Sequence, residues 1–398
     1  MTKTFKDPTT YVSASNISFI GTGYGETRIT NSCPKETVIG KYGEANISEG
    51  IGSSDVIDNM GTLNYFQGIT IKTSMGDARG RDIAFNDKGN KTIFKDACLW
   101  GYQDTYVSNN EGGKFYFEGG VIRGRTDYLC GKGDVFYNEV TLQQCGTGGY
   151  LAVPSIPKKY GYVFQNCYIK KETSDVTFHL GRPWGKGTPI ACFINTKMDA
   201  DAIGNGWADM SGNWPKRFAE YNSFLTSGTQ IDLSGRRTSW KDGQGVVHNN
   251  DPILTIDDVQ SMSLANVMGQ NDDWDPTALT EQASAPTNVV LVSETKQLSW
   301  DDSNYVLGWV VFKNGKYAAN LTTPSYTVDE TNATWTVRAA NEMGGLGEAT
   351  TATVSTAIVD VNTEAPAADG PAYNTAGMRV NANAKGIIIR NGKKYVVK

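Results

Sequence analysis

The 398-residue chain is poor in several things, and each shortage narrows what it can be. It has two histidines, His179 and His248, so a histidine-built metal centre has little to work with and none is expected. Its six cysteines, Cys33, Cys98, Cys130, Cys145, Cys167 and Cys192, form no C-x-x-C pair, which argues against a zinc ribbon or dithiol redox motif. No apolar run reaches the roughly 18 residues of a membrane-spanning helix. Positive charge is not in excess: 37 Lys and Arg against 42 Asp and Glu give a net charge of −5, which argues against a general nucleic-acid binder. A G-x-S-x-G nucleophile elbow is also missing, so serine-hydrolase chemistry of the usual kind is not indicated. The opening Met1–Pro8 lacks the apolar core of a signal peptide, so any export signal is expected to have been removed or left out.

Glycine (44) and tyrosine (19) are plentiful, and the chain repeats itself. A Phe, one variable residue and a turn-prone Asn, Asp or Gly recur at Phe66, Phe94, Phe117, Phe136, Phe164 and Phe193. Short β-rich pieces at a period of roughly 25 residues predict a solenoid. Each Phe would stack inside on the next, and the turn residue would make the bend, since Gly, Asn and Asp tolerate the left-handed backbone. Cys145, Cys167 and Cys192 follow the same period and would stack as small buried hydrophobes. The spacing exceeds the strand–turn repeat of about 8–12 residues in sandwiches, which favours a right-handed parallel β-helix over a β-sandwich with irregular loops.

Two carboxylates stand out on this background. Gly101-Tyr102-Gln103-Asp104-Thr105-Tyr106 and Thr126-Asp127-Tyr128-Leu129-Cys130-Gly131 put Asp104 and Asp127 one repeat apart. In a solenoid they would lie side by side on one outer face. A third motif, His179-Leu180-Gly181-Arg182-Pro183-Trp184, supplies a planar fork of donors suited to a carboxylate and a flat apolar face suited to a sugar ring. Alone, each is weak: an Asp in a turn is more often a cap, and an Arg near a Trp more often a surface stack.

Together, in this order, the motifs resemble those of the pectin methylesterases. Gly101–Thr105 looks like that family's G-Y-Q-D-T, Thr126–Gly131 like its V-D-F-I-F-G, and Leu180–Trp184 matches L-G-R-P-W; Gly206-Trp207 and Ala219-Glu220-Tyr221 resemble later pieces. The resemblance covers residues 15–280 and implies hydrolysis of galacturonate methyl esters without a cofactor. It implies Asp127 as nucleophile, Asp104 as general acid and base, Gln103 as oxyanion donor and Arg182 as the group orienting Asp127. A neighbouring Arg and a pair of close carboxylates would split the two protonation states in the needed direction. The family's second oxyanion Gln aligns with Arg81, whose guanidinium still donates hydrogen bonds. Tyr102, Tyr128, Trp184 and Trp207 are candidate sugar-stacking residues; the alternative, strongest for Tyr128, is packing within the coils. Arg79, Arg81, Arg123, Arg125, Lys132, Arg182 and Lys186 would favour an anionic polymer, pectin or homogalacturonan. Competing expectations are a non-catalytic β-helix that binds acidic polysaccharide, with Arg81 the sign of lost activity, and a β-helix hydrolase or lyase. The hydrolase would want a tighter acidic cluster with a nearby His, and the lyase a calcium-binding acidic group. The family's first coil looks shortened here, the recognisable pattern beginning near Ile17.

The repeat ends near Asp275-Pro276. The expected organisation is a β-helix esterase domain at 1–280, a linker at 281–285, a small β-sandwich at 286–361, a Pro/Ala-rich linker at 362–372 and a tail at 373–398. Alternating apolar pieces, a Trp expected to be buried and Lys313-Asn314-Gly315-Lys316 as a turn resemble a fibronectin type III module. The tail, with a hairpin expected around Asn391-Gly392, resembles the sorting tails of type IX-like secretion. The expected protein is a secreted or cell-surface monomer.

Overall fold

The computed structural model describes residues 2–4, 9–25, 27–30, 55–74, 77, 83–277, 283–302, 306–341, 345–355, 361–362, 370–381, 384–390 and 393–397. The chain divides into two compact units, one of Met1–Gln282 with Asn341–Leu346, the other of Ala283–Ala340 with Gly347–Lys398.

The first unit is a right-handed parallel β-helix. Among the described residues, its coils contribute short strands to parallel sheets of nine, seven and eight strands. One coil supplies Cys98–Trp100, Tyr106–Ser108 and Lys114–Glu118; the next supplies Val121–Gly124, Thr126–Gly131 and Asp134–Asn138. Coil strands already occur at Thr2–Thr4 and Thr10–Val12, before the sequence pattern becomes recognisable.

The predicted aromatic stack forms the spine of the interior. Phe19, Phe66, Phe94, Phe117, Tyr137, Phe164 and Phe193 lie face to face, with ring centroids 4.2 to 5.2 Å apart. Such pairs contribute about 0.5–1.5 kcal/mol each beyond their area burial. Two residues after each stacked ring from Phe66 onward, Gly68, Asp96, Gly119, Glu139, Asn166 and Asn195 all take φ between 45° and 62°. That left-handed residue turns the chain from the eight-stranded sheet into the nine-stranded one.

The repeat needs two corrections. Tyr137, not Phe136, occupies the interior, pairing with Phe117 in register. Phe136 faces outward beside Tyr116, under Leu254, Val267, Met268 and Trp274, so a second apolar layer claims it. The cysteines do not stack: Cys167 points inward, Cys192 joins that outer layer and Cys145 is half-buried. The outer layer is closed by the helix Ile256–Ser261, begun by a reciprocal cap between Thr255 and Asp258. Beside it, the fully buried Lys114 donates to the Met268 carbonyl (2.6 Å) and to Asp272.

In the second unit, a sheet of Val290–Val292, Gln297–Ser299, Ser325–Thr327 and Thr353–Ser355 faces one that includes Gly308–Lys313, Lys316–Leu321 and Trp335–Asn341. Leu291, Leu298, Trp300, Trp309, Val311, Trp335 and Val337 form one core between them. Near the C-terminus, Gly386–Arg390 and Lys393–Val397 pair as an antiparallel hairpin; Asn391 and Gly392, expected at its turn, lie outside the described residues.

Several acids are buried, and Asp87 is one of them. Asp87 is fully enclosed, accepting from Asn59 Nδ2 (2.9 Å), the Gly89 N–H (3.1 Å) and the Tyr106 hydroxyl (3.4 Å). Burial outweighs these bonds and pushes its pKa up to about 7. The folded chain therefore holds this proton more tightly than the unfolded chain, whose Asp titrates near ~3.9. The resulting stability is full below that value and is lost as pH rises towards 7. Asp87→Asn should melt close to wild type at pH 4 and progressively above it from there to pH 7.5; thermal melts across that range check this, and a pH-independent difference would refute it.

Candidate active site

The seven-stranded sheet builds the site because its coils stay in register. Tyr106 pairs with Leu129, and Gln103 bridges Thr126, so Asp104 and Asp127 occupy equivalent positions on neighbouring coils. The spacing of such strands is about 4.8 Å. Both aspartates take the left-handed backbone, φ 57° and 54°, a conformation Asp tolerates better than most residues. Each is 6% exposed, at the edge of an open cleft of about 130 Å³ lined by Gln103, Asp104, Asp127, Cys130, Val153, Trp184 and Met210.

Beneath the aspartates the packing is tight. Tyr128 turns inward and is fully buried; a Cβ on Gly124 would lie 2.2 Å from its Cβ, so only glycine fits there. A ladder irregularity between Thr126 and Leu129 marks the place where Asp127 departs from regular pairing with the next coil.

Arg182 arrives from two coils away. It follows the strand Phe178–Gly181, and its N–H donates to the Ala152 carbonyl at 3.0 Å. Its guanidinium makes a two-pronged contact with Asp127, Nε to Oδ1 at 2.9 Å and Nη2 to Oδ2 at 2.5 Å. Burial works against the Arg182 charge, but the hydrogen bonds and charge of Asp127 overcome it and hold its pKa above the usual arginine value. Close approach of this loop depends on Gly181, where a Cβ would sit 2.2 Å from the Ala152 carbonyl oxygen.

The structure thus brings together Gln103, Asp104, Asp127, Arg182 and Trp184. Trp184 is 37% exposed on the cleft, and Tyr102, next in sequence to Gln103, is half-buried. Two of the proposed sugar-stacking residues are corrected. Tyr128 and Trp207 are 0% and 1% exposed and have no face left for a ligand: Tyr128 packs over Gly124, and Trp207 sits in the interior against Phe193 and Phe218. Arg123 is likewise corrected: it belongs to the nine-stranded sheet, stacks over Trp100 and is held by Asp77 and Glu172. Arg79 and Arg81 lie outside the described residues.

Other contributors were missed. Cys130, Val153 and Met210 line the cleft, and they pack against the buried Ile83 and Val107. Cys130 and Val153 sit one coil apart at matching register, a signal available in the sequence but hidden because no charge marks it. Glu220 is not at the cleft at all; it is fully buried, paired with Arg236 and hydrogen-bonded to Ser223.

The profile of the pectinesterase family matches residues 9–254. Pectinesterase A of Dickeya dadantii is 31% identical over 216 residues, covering 45% of this chain and 57% of that protein. The chain spans about half the length of the curated relatives it matches. Among solved structures, pectin methylesterase from carrot superposes with a TM-score of 0.54 at 20% identity, over 71% of this chain and 88% of the carrot chain. Pectin methylesterase from Aspergillus niger gives 0.53 at 19% identity, over 69% and 86%. At these identities the likeness speaks for the fold.

The reassignment of Trp207 has a measurable consequence. Trp207→Ala removes a large buried ring and should lower stability by about 3–5 kcal/mol. Denaturant unfolding checks this; a change below about 1 kcal/mol would place the ring at the surface after all.

Proposed function

The chain belongs to the pectinesterase family, and from that membership we propose that it hydrolyses methyl esters of galacturonate units in pectin, releasing methanol and leaving acidic pectate. The observation that carries this is the register-matched pair Asp104 and Asp127 on one cleft, with the Arg182 fork on Asp127. A fork of that kind favours the carboxylate form and aims its oxygens.

Asp127 attacks the ester carbonyl carbon. The C=O electrons move to oxygen, and Gln103 donates a hydrogen bond to that oxyanion. On collapse the C–OCH3 bond breaks, and Asp104, entering as the acid, gives its proton to the departing methoxide. The product is methanol and an acyl-enzyme anhydride on Asp127. Asp104, now a carboxylate, takes a proton from water, whose oxygen attacks the galacturonyl carbon and frees Asp127. One water is consumed per ester, and both aspartates return to their starting states. Trp184, half-open at the cleft edge, offers an apolar face to a sugar ring.

The remaining assignments belong to the same proposal. Residues 1–280 would carry the chemistry. The module at 286–361, a two-sheet sandwich around three tryptophans, would serve as a fibronectin type III-like spacer. The stretch 373–398, ending in a hairpin, would act as a sorting tail that takes the protein to the cell surface or beyond.

Wild type should release methanol from methyl-esterified pectin without shortening the polymer. Asp104→Asn should lower kcat by about 10²–10⁴-fold as loss of an acid and base. Arg182→Ala should lower it by about 10²–10³-fold as loss of a fixed charge at the reacting group. Binding without methanol release would favour a polysaccharide-binding protein, and chain cleavage a different β-helix enzyme; full activity in Arg182→Ala would remove Arg182 from its role.

A further inference from the structure

Arg182 starts two coils from Asp127, and the intervening coil contributes the strand Gly149–Pro154. Two coils are about 9.6 Å along the axis. The arginine side chain must therefore cross the middle coil before its fork meets the carboxylate. A long flexible side chain crossing open ground loses rotamer entropy on being fixed, and a single ion pair sets its end but not the plane of its path.

What lies under the crossing is Tyr150. It pairs with Thr126 on one side and His179 on the other, level with Gln103 and one residue before the position of Asp127. The Arg182 guanidinium carbon sits 4.1 Å above the centre of the Tyr150 ring. The same ring also stacks on His179, at 5.5 Å with the planes 12° apart. Imidazole, phenol and guanidinium thus lie in contact in turn, and the guanidinium meets the Asp127 carboxylate through its edge, by two N–H donors. Burial of His179 holds its pKa below the usual histidine value, which favours the neutral imidazole against the Tyr150 ring.

We infer that Tyr150, backed by His179, is a positioning residue that holds the Arg182 guanidinium in the plane from which it forks onto Asp127. The inference rests on the esterase reading for its effect on turnover, but its structural half stands apart from that reading. The ring acts through its face, by cation–π attraction and by blocking the rotamers that would let the guanidinium tilt away. The hydroxyl is not required for either.

The test uses the full-length chain with Tyr150→Phe, Tyr150→Leu and the wild type, assayed for methanol release from methyl-esterified pectin, with thermal melts to confirm folding. Tyr150→Phe should retain kcat within about 2-fold. Tyr150→Leu, which keeps bulk but loses the π face, should lower kcat about 10-fold with KM nearly unchanged. In parallel, 15N NMR of arginine side chains follows the Arg182 Nε–H, identified by its loss in Arg182→Lys. That signal should be ordered and slowly exchanging in wild type and Tyr150→Phe, and mobile in Tyr150→Leu. An Arg182 Nε–H equally ordered in Tyr150→Leu would overturn the inference whatever the activities. An inactive wild type with the predicted NMR changes would instead sink the esterase reading and leave the positioning role standing. Should Tyr150→Leu melt early, Tyr150→Met provides the same loss of the ring with an adaptable side chain, and the same two outcomes decide.

Discussion

Everything at the cleft depends on parallel registry between neighbouring coils of the seven-stranded sheet. Pairing of Tyr106–Ser108 with Leu129–Gly131 turns a separation of one full coil in sequence into adjacency in space. Without it Asp104 and Asp127 are two unrelated turn residues. The registry is enforced from inside: Tyr106 and Leu129 point into the core, and a slip of one residue would send them to solvent and the outward-facing Val107 and Cys130 inward. The aromatic stack and the left-handed residue after each ring repeat this constraint in every coil, so the site inherits its precision from packing well away from it.

A second constraint is reach. The charge that faces Asp127 comes from a residue two coils further on, so the ion pair ties three coils together across Tyr150. This geometry makes the two aspartates unequal although their backbone conformations match. One carboxylate has a guanidinium fork laid against it, and the asymmetry is what a nucleophile and an acid standing side by side require.

Much of the fold was legible because the solenoid period lies in plain view: a ring, one residue, then a residue that tolerates positive φ. It failed at Phe136-Tyr137, because Asn138 two residues after Phe136 fits the pattern, whereas the turn is made by Glu139, a residue type that rarely takes positive φ. The acid pair was legible from the period alone, and the partner of Asp127 only through resemblance, since Arg182 is 55 residues away and no repeat links them. Tyr128 and Trp207 were misjudged because residue type does not say which way a ring points; registry and the nearby glycine at 124 do. Tyr150 carried no motif, and its role exists only in three dimensions. Cys130, Val153 and Met210 were overlooked because an apolar cleft floor reads as ordinary core.

The central claim is that Asp127, aligned by Arg182, forms a covalent acyl-enzyme. Rapid acid quench of the wild-type chain within the first turnover on a short methyl-esterified oligogalacturonide, followed by mass mapping of the peptides, addresses it directly. An oligogalacturonyl mass increment should appear on the peptide carrying Asp127, together with the first equivalent of methanol. Methanol release with no increment on any peptide, or with the increment on the Asp104 peptide, would contradict it.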